Sequence, residues 1–348
     1  MKLAARSGGV AGLVLALGLP LQGCGDSSGQ SEPPPQPIPC LSGVQLCWEA
    51  VSVGGGFYLP VYRSHPIQDG NAEVTRAIIV VHGANRNPDD YFETMVEAVQ
   101  LHGQDLMENT LVVAPHFQTL DDGPAWNEPA WTSEGWKRGD KSVSDHGPGT
   151  RISSYEAVDE VLIYLGNPFL FPSLESVVIT GHSAGAQYAH RFAATSPMEE
   201  GLPDLRFRYI IANPSTYLYL GPERADGEGG FALPDRQACP DYNEWHYGFE
   251  DRNSYAGRLT EEQARDRFIG RDVAYLAGTA DTGQSMLDMT CGAMLQGEHR
   301  YERALTIFDY MNTYFPENND ELVQVDGVGH SSNGMYQSTQ GRKALFNW

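Results

Sequence analysis

Short apolar runs that favour β-strands alternate with helical patterns along most of this chain. The run 177–180 (Val-Val-Ile-Thr) is typical, because it is rich in β-branched residues and lacks the alternation of polar and apolar residues seen in half-exposed strands. Such strands, separated by helices, are typical of a mostly parallel sheet that helices cover on both faces. After an N-terminal hairpin, the predicted strands are 76–82, 110–116, 176–180, 208–213, 272–277 and 322–325, and the predicted helices are 89–101, 153–165, 184–194, 300–314 and 333–346. The sequence therefore predicts an α/β fold around one central sheet.

Three glycines and two long irregular segments interrupt this alternation. Strand-like runs at 44–53 and 57–63 flank the three consecutive glycines at 54–56, which is a hairpin signal. Residues 118–151 are polar and rich in glycine, and residues 217–267 are rich in aromatic residues, proline and glycine. Loops this long inside a compact domain are usually functional or disordered. We therefore expect these two inserts to form the rim of a functional site or a lid over it.

A pentapeptide with two glycines and a central serine, Gly181-His182-Ser183-Ala184-Gly185, follows the predicted strand 176–180. This pattern between a strand and a helix predicts a turn so sharp that the serine hydroxyl stands exposed above the sheet. Glycines are needed there because side chains would collide with neighbouring backbone. In parallel sheets, ligands bind beyond the carboxyl ends of the strands. Ser183 is therefore a candidate nucleophile, although the pentapeptide alone is a weak signal.

A serine nucleophile needs a histidine to accept its proton and a carboxylate to orient that histidine. His330 is the favoured base, because it lies in a glycine-flanked loop after the last predicted strand. Asp281 is the favoured acid, because it follows the predicted strand 272–277 and a short turn. Weaker candidates are Asp288 and Asp326 for the acid, His299 and His246 for the base, and His182, which we expect to face away from the serine.

Hydrogen-bond donors are also required where negative charge develops on the attacked carbonyl oxygen. The backbone N–H of Ala184, next to the serine, is one predicted donor. The other is expected from the loop after the strand 76–82, and Ala84 is the favoured residue because Gly83 permits a close backbone approach. His82 is expected to brace this loop rather than to act as a base.

With these residues in this order, the chain over about residues 44–348 resembles the α/β-hydrolase superfamily. The resemblance rests on His82-Gly83, the pentapeptide around Ser183, Asp281 and His330. It implies a covalent acyl-enzyme that water hydrolyses, without a metal ion or an organic cofactor. It also implies the α/β-hydrolase fold, with a mostly parallel central sheet flanked by helices.

The substrate is less constrained, since esterases, lipases and some peptidases share the Gly-His-Ser-Ala-Gly form. The extended His-Gly-Gly-Gly run of one esterase branch is missing from this sequence. The leading hypothesis is a serine hydrolase that cleaves small or polymeric carboxylic esters. A serine peptidase or amidase, and a noncatalytic binding protein with the same fold, are the alternatives.

Three tryptophans in the first insert, Trp126, Trp131 and Trp136, are spaced five residues apart, which fits neither a strand nor one helical stripe. One interpretation is a surface that stacks against a substrate. The other is that the rings pin the long loop to the body of the domain.

The N-terminus has the pattern of an export signal. Lys2 and Arg6 precede the apolar run 10–21, which is too short for a transmembrane helix. The following residues, Leu21-Gln22-Gly23-Cys24, resemble a bacterial lipobox, which implies cleavage before Cys24 and lipidation of that cysteine. Because Gln22 is unusual at its position, secretion with a free Cys24 remains the alternative.

The expected organisation is a signal peptide at 1–23, a tether rich in proline and serine at 24–39, and a catalytic domain at 40–348. The tether would hold the domain away from a bacterial membrane, in the periplasm or at the cell surface. Contact with the membrane is expected only through the lipid anchor.

Four further cysteines, Cys40, Cys47, Cys239 and Cys291, form an even set, which suggests disulfides in an exported chain. Three pairings are possible, and Cys40–Cys47 with Cys239–Cys291 is the simplest. None of the cysteines has the spacing of a zinc site.

The formal net charge of −22 argues against a nucleic acid or an anionic membrane surface as partner. Acidity of this degree is more often an adaptation for solubility or salt than a device that attracts substrate.

Overall fold

The computed structural model describes residues 38–348. The predicted signal peptide, Cys24 and most of the predicted tether lie outside this range. Within the described range, no helix has both the length and the apolar character needed to cross a lipid bilayer.

An eight-stranded sheet forms the centre, in the order β1-β2-β4-β3-β5-β6-β9-β10. The first two strands form an antiparallel hairpin, β2 pairs antiparallel with β4, and all later neighbours are parallel. The strands are β1 (Trp48–Ser52), β2 (Tyr58–Arg63), β3 (Arg76–Val81), β4 (Thr110–Pro115), β5 (Ser176–His182), β6 (Arg206–Ala212), β9 (Val273–Gly278) and β10 (Glu321–Val325), with a separate small pair β7 (Arg224–Ala225) and β8 (Phe231–Ala232).

Nine α-helices accompany these strands in the described part of the chain. The long helices occupy the predicted positions, but the predicted helix 333–346 is divided at Ser338, whose hydroxyl accepts a hydrogen bond from the N–H of Gly341 and begins a new helix. The helices are α1 (Pro88–His102), α2 (Ser154–Leu165), α3 (Ala184–Thr195), α4 (Met198–Gly201), α5 (Glu261–Ile269), α6 (Cys291–Met294), α7 (Arg300–Tyr314), α8 (Ser332–Gln337) and α9 (Thr339–Phe346).

Both faces of the sheet are buried, which explains the continuous apolar runs in the sequence. In β3, Ile78 and Val80 pack into the apolar core on one face, and Ile79 and Val81 pack into the core on the other. Side chains alternate along a strand, so a strand covered on both faces needs apolar residues at every position. The carboxyl ends of the parallel strands remain free to carry a site.

Two disulfides cross-link the described part of the chain. Cys40 is bonded to Cys47 and Cys239 to Cys291, which confirms the predicted pairing. Both inserts are anchored to α3 through Arg191, which is fully buried and donates hydrogen bonds to the carbonyls of Lys137 and His246.

A buried carboxyl group on α2 makes stability depend on pH. Asp159 accepts hydrogen bonds from the hydroxyls of Ser196 (2.7 Å) and Tyr255 (2.6 Å). Burial raises the pKa of Asp159 from 3.8 to about 6, although both hydroxyls oppose this shift. Between these values the folded chain holds a proton that the unfolded chain has lost, so this group's contribution to stability falls as pH rises from about 4 to about 6.

Asp159→Asn mimics the protonated acid at every pH. Between pH 4.5 and pH 7.5, we expect the free energy of unfolding of the wild type to fall by about 2 kcal/mol relative to that of the variant. Urea unfolding of both proteins at the two pH values measures this difference. An equal difference at both values would show that Asp159 is ionised in the folded protein throughout this range.

Candidate active site

The chain reverses sharply at Ser183, between the end of β5 and the start of α3. Ser183 has φ 60° and ψ −117°, a conformation that residues other than glycine rarely adopt. A Cβ atom on Gly181 would lie 2.2 Å from the carbonyl carbon of Gly185, and one on Gly185 would lie 2.1 Å from the carbonyl oxygen of Val81. Both glycines are therefore required by the close approach of β3, β5 and α3.

Two hydrogen bonds join Ser183, His330 and Asp281. The Oγ of Ser183 lies 2.9 Å from Nε2 of His330, and Nδ1 of His330 lies 2.7 Å from Oδ2 of Asp281. A carboxylate can only accept, so Nδ1 carries the proton and Nε2 is free to accept the serine hydroxyl proton. Asp281 is buried, whereas the imidazole is accessible from solvent.

The loops that carry the acid and the histidine are tied together at the edge of the sheet. Asp281 follows β9 and His330 follows β10, its parallel neighbour. Asn213, at the end of β6, accepts a hydrogen bond from the N–H of Gly278 and donates one to the carbonyl of Gly329. Through these two hydrogen bonds, one side chain ties together the loops that carry Asp281 and His330.

The weaker candidates lie elsewhere. Asp288 accepts a hydrogen bond from the hydroxyl of Tyr247, and Asp326 lies on an exposed turn. His299 caps the N-terminus of α7, and His246 is buried in the second insert. Within the described residues, none of these four side chains forms a hydrogen bond with Ser183 or His330.

The loop after β3 also borders the cleft at Ser183. Ala84 lines the cleft beside the serine, and Ala184 is the first residue of α3, where backbone N–H groups have no partner within the helix. The helix dipole also favours negative charge there. The backbone N–H groups of Ala84 and Ala184 therefore remain the predicted donors.

His82 braces this loop from below. Its Nδ1 lies 2.9 Å from the carbonyl oxygen of Gly83, and its Nε2 accepts the N–H of Phe117 at 3.0 Å. Burial lowers the pKa of His82 to about 3, so the ring is neutral and acts as one donor and one acceptor. On the outer side, Arg86 donates to the carbonyl of Ala84 and forms an ion pair with Asp122.

The cleft around Ser183 is open to solvent and has a volume of about 310 Å³. Its wall includes the side chains of Asn85, Asn87, Tyr91, Met286, Ser331 and Ser332, and no Lys, Arg, Asp or Glu lines it among the described residues. A larger cavity of about 570 Å³ lies in the second insert, but it contains none of the three hydrogen-bonded residues. The smaller cleft is the better candidate for the active site, because it contains Ser183 and His330, whereas the larger cavity is distinguished only by its volume.

The sequence predicts no role at the cleft for three residues that lie near it: His182, which is expected to face away from the serine, Tyr91 and Met286. The ring of His182 lies 4.5 Å from that of His330 and its Nδ1 lies 3.3 Å from the Tyr91 hydroxyl; burial lowers the pKa of His182 well below its ordinary value. Tyr91 and Met286 line the cleft. Their positions depend on long-range packing, and no local pattern in the sequence marks them.

The three tryptophans of the first insert differ in exposure. Trp131 and Trp136 are each only 1% exposed and pack in the core, and the indole N–H of Trp131 donates to the carbonyl of Ile152. The substrate-binding prediction is therefore wrong for these two residues, which pin the insert to the body of the domain. Trp126 is 64% exposed and its ring contacts His146.

The predicted lid is not part of the immediate wall. Among the residues that the structure describes, those lining the cleft come from the loops after β3, β5, β9 and β10 and from α1 and α8, and not from either insert. In the same range, no cluster of three or more His, Cys, Asp and Glu side chains is arranged to hold a metal ion.

Comparison with known proteins identifies the fold. No family model matches the sequence, and no curated protein matches it. Among solved structures, poly(aspartic acid) hydrolase-1 from Sphingomonas sp. KT-1 is 23% identical, with a TM-score of 0.59 over 84% of this chain and 96% of that one. The poly(3-hydroxybutyrate) depolymerase LpqC from Bordetella parapertussis is 23% identical, with a TM-score of 0.58 over 86% of this chain and 89% of that one. The chain has the α/β-hydrolase fold, as the resemblance implied.

Proposed function

We propose that this protein is a serine hydrolase that cleaves carboxylic esters through a covalent acyl-enzyme. The observation that carries this proposal is the pair of hydrogen bonds from Ser183 to His330 (2.9 Å) and from His330 to Asp281 (2.7 Å), on a strained turn beside the predicted donors Ala84 and Ala184. The fold shared with two polymer hydrolases supports it. In this proposal Ser183 is the nucleophile, His330 the general base and acid, and Asp281 the group that orients His330.

In the acylation step, Ser183 Oγ attacks the ester carbonyl carbon while its proton passes to Nε2 of His330. Asp281 stabilises the imidazolium that forms, and it keeps its own charge. The carbonyl oxygen becomes negative and accepts hydrogen bonds from the N–H groups of Ala84 and Ala184. When the carbon–oxygen bond breaks, the leaving alkoxide takes the proton from Nε2 and departs as an alcohol.

Deacylation repeats these steps with water in place of the serine. His330 removes a proton from the water as the oxygen attacks the acyl carbon, and the second tetrahedral intermediate uses the same two donors. Collapse of this intermediate returns the proton to Ser183 Oγ and releases the carboxylic acid. The open cleft admits water to His330, whose imidazole is accessible from solvent.

The charge around the site favours an uncharged acyl group. A polymer of aspartic acid carries a negative charge on each unit, whereas this chain has a net charge of −22 and its described cleft is lined by no Lys or Arg. Long-range repulsion would slow the approach of such a polyanion. A neutral ester, small or polymeric, fits this cleft better, and the exposed Trp126 is a proposed contact for a chain that extends beyond it.

We place the working site outside the cytoplasm, with residues 40–348 as the catalytic domain, held to a bacterial membrane by a lipidated Cys24 and the tether 24–39. The two disulfides favour an oxidising compartment. The mass of the mature N-terminal peptide tests the anchor, since an unmodified Cys24 would leave secretion as the route.

A panel of substrates tests the reaction class. We expect hydrolysis of neutral p-nitrophenyl esters with acyl chains from acetyl to octanoyl, and turnover of the matched anilides at least about 100-fold slower, because an amine leaving group must be protonated as it departs. Purified protein is assayed on each pair at equal concentration, and a fluorophosphonate probe followed by peptide mass spectrometry locates the labelled residue.

The matched ester and anilide separate the alternatives, because they differ only in the leaving group. Equal or faster turnover of the anilides would favour an amidase or a peptidase. Folded protein that hydrolyses neither series and does not react with the probe would favour a noncatalytic binding protein.

A further inference from the structure

A buried arginine on α7 lies between the acid of the proposed triad and the wall of the cleft. Arg300 is 1% exposed, and its Nη1 lies 3.7 Å from Oδ1 of Asp281, the carboxylate oxygen that His330 does not use. At this distance the contact is an ion pair without a hydrogen bond. The guanidinium is therefore held in place by other partners.

Those partners are two consecutive carbonyl oxygens in the loop after Asp281. Nη2 of Arg300 donates to the carbonyl of Ser285 at 3.0 Å and to that of Met286 at 2.9 Å. Met286 has φ 54°, which is unfavourable for a side chain with a Cβ atom, and it is 75% exposed and lines the cleft beside Ser183. The two hydrogen bonds hold this strained residue at the cleft.

We propose that Arg300 is a positioning residue that sets two features of the site together: the charged state of the Asp281–His330 pair and the place of the Met286 side chain against the substrate. The inference rests on the proposed function, since it assigns Arg300 a role in that reaction. The first role needs only the positive charge. The second needs both terminal nitrogens of the guanidinium, because Nη2 donates to the two carbonyl oxygens while Nη1 faces Asp281, and a lysine side chain has only one nitrogen.

The groups that face this ion pair come from four elements. His330 comes from the loop after β10, His182 from β5, Tyr217 from the segment after β6, and Arg303 from the next turn of α7. Burial lowers the pKa of His182 and raises that of Tyr217, so both are uncharged at neutral pH. Arg303 donates to the carbonyls of Ser215 and Gly297, and Asp288 is the acid whose charge acts on it. Arg300 is therefore the fixed cation that acts on Asp281.

The two roles separate in a pair of variants. In Arg300→Gln the charge is lost, so the imidazolium of His330 forms more easily beside an uncompensated carboxylate. We expect the acid limb of the pH profile of kcat/KM to move up by about 0.5 to 1 pH unit. In Arg300→Lys the charge remains, so this limb should stay at its wild-type position. Because the single lysine nitrogen cannot both face Asp281 and keep the Nη2 hydrogen bonds to the Met286 loop, KM for butyryl and octanoyl esters should rise about 5-fold while kcat changes less than about 3-fold.

Arg303 offers the matched control, because it is equally buried on the same helix but does not contact Asp281. Arg303→Gln should lower stability in a similar way and leave the acid limb in place. Fluorophosphonate titration of competent sites corrects every rate for folded protein. If Arg300→Gln is too unstable to assay, the rise in KM of Arg300→Lys relative to Arg303→Lys decides the matter.

An acid limb of Arg300→Gln that coincides with the wild type, or a KM of Arg300→Lys that matches the wild type on every ester, overturns the proposal. Failure of the proposed function gives a different result, because the wild-type protein itself would then hydrolyse no ester and take up no probe.

Discussion

Ser183→Ala should lower kcat for the best neutral ester by about 10⁴-fold or more while leaving the protein folded. The hydroxyl is the group that forms the acyl-enzyme, and no other hydroxyl lies within hydrogen-bonding distance of His330 Nε2 among the described residues. Alanine tolerates φ 60° as poorly as serine does, so the strain of the turn is the same in both proteins. Residual activity would come from the two backbone donors and from binding alone.

Steady-state rates and probe labelling of the variant test the loss of activity, and thermal unfolding tests whether the variant is folded. His330→Ala serves as a partner variant, because groups that act as one unit are not additive. The double variant Ser183→Ala/His330→Ala should be no slower than either single variant by more than about 3-fold. A Ser183→Ala protein that keeps a tenth of the wild-type kcat would contradict the assignment of the nucleophile.

Gly185→Ala should prevent folding or lower the free energy of unfolding by about 3 kcal/mol or more. The new Cβ atom would lie 2.1 Å from the carbonyl oxygen of Val81 and 2.7 Å from that of His82. These are backbone atoms of β3 and of the residue that leads into the Ala84 loop, so they cannot rotate away as a flexible side chain would. Relief of the clash requires α3 to move away from the sheet.

Any folded Gly185→Ala protein should also lose activity by about 100-fold, because α3 and the Ala84 loop supply the two proposed donors at Ser183. Gly201→Ala is the matched control. Gly201 ends α4 with open space around the position of a Cβ atom, so that variant should change stability by less than about 1 kcal/mol. Urea unfolding of both variants tests the pair, and a Gly185→Ala protein within 1 kcal/mol of wild type would show that β3 and α3 lie further apart in solution.

The parts of the site that could be predicted from sequence are those that sit directly beside a regular element. Ser183 follows a strand and precedes a helix, and Asp281 and His330 follow strands that the alternation of patterns identifies. In a parallel sheet, loops at the carboxyl ends of neighbouring strands lie at one edge, so a short list of polar residues in those loops already contains the site. The catalytic roles of these residues remain a proposal that Ser183→Ala tests.

The inserts show where local reasoning fails. The spacing of Trp126, Trp131 and Trp136 left a binding surface and a packing role equally open, and the structure buries two of the three rings in the core. Burial depends on which other elements cover a residue, and no pattern within 118–151 indicates that Phe117 packs against Trp131 and Trp136 and is itself covered by Tyr188.

The sequence by itself determined the α/β architecture, the turn at Ser183 and the order of the three polar residues, because each depends on local propensity or glycine geometry, and it limited the disulfides to three possible pairings. Only the tertiary structure decided that Asn213 joins the loops of Asp281 and His330, that His182 packs beneath His330, and that Arg300 connects the buried acid to Met286. These contacts join residues that lie far apart along the chain, and their distances follow from how helices and loops pack on the sheet rather than from any pattern near each residue.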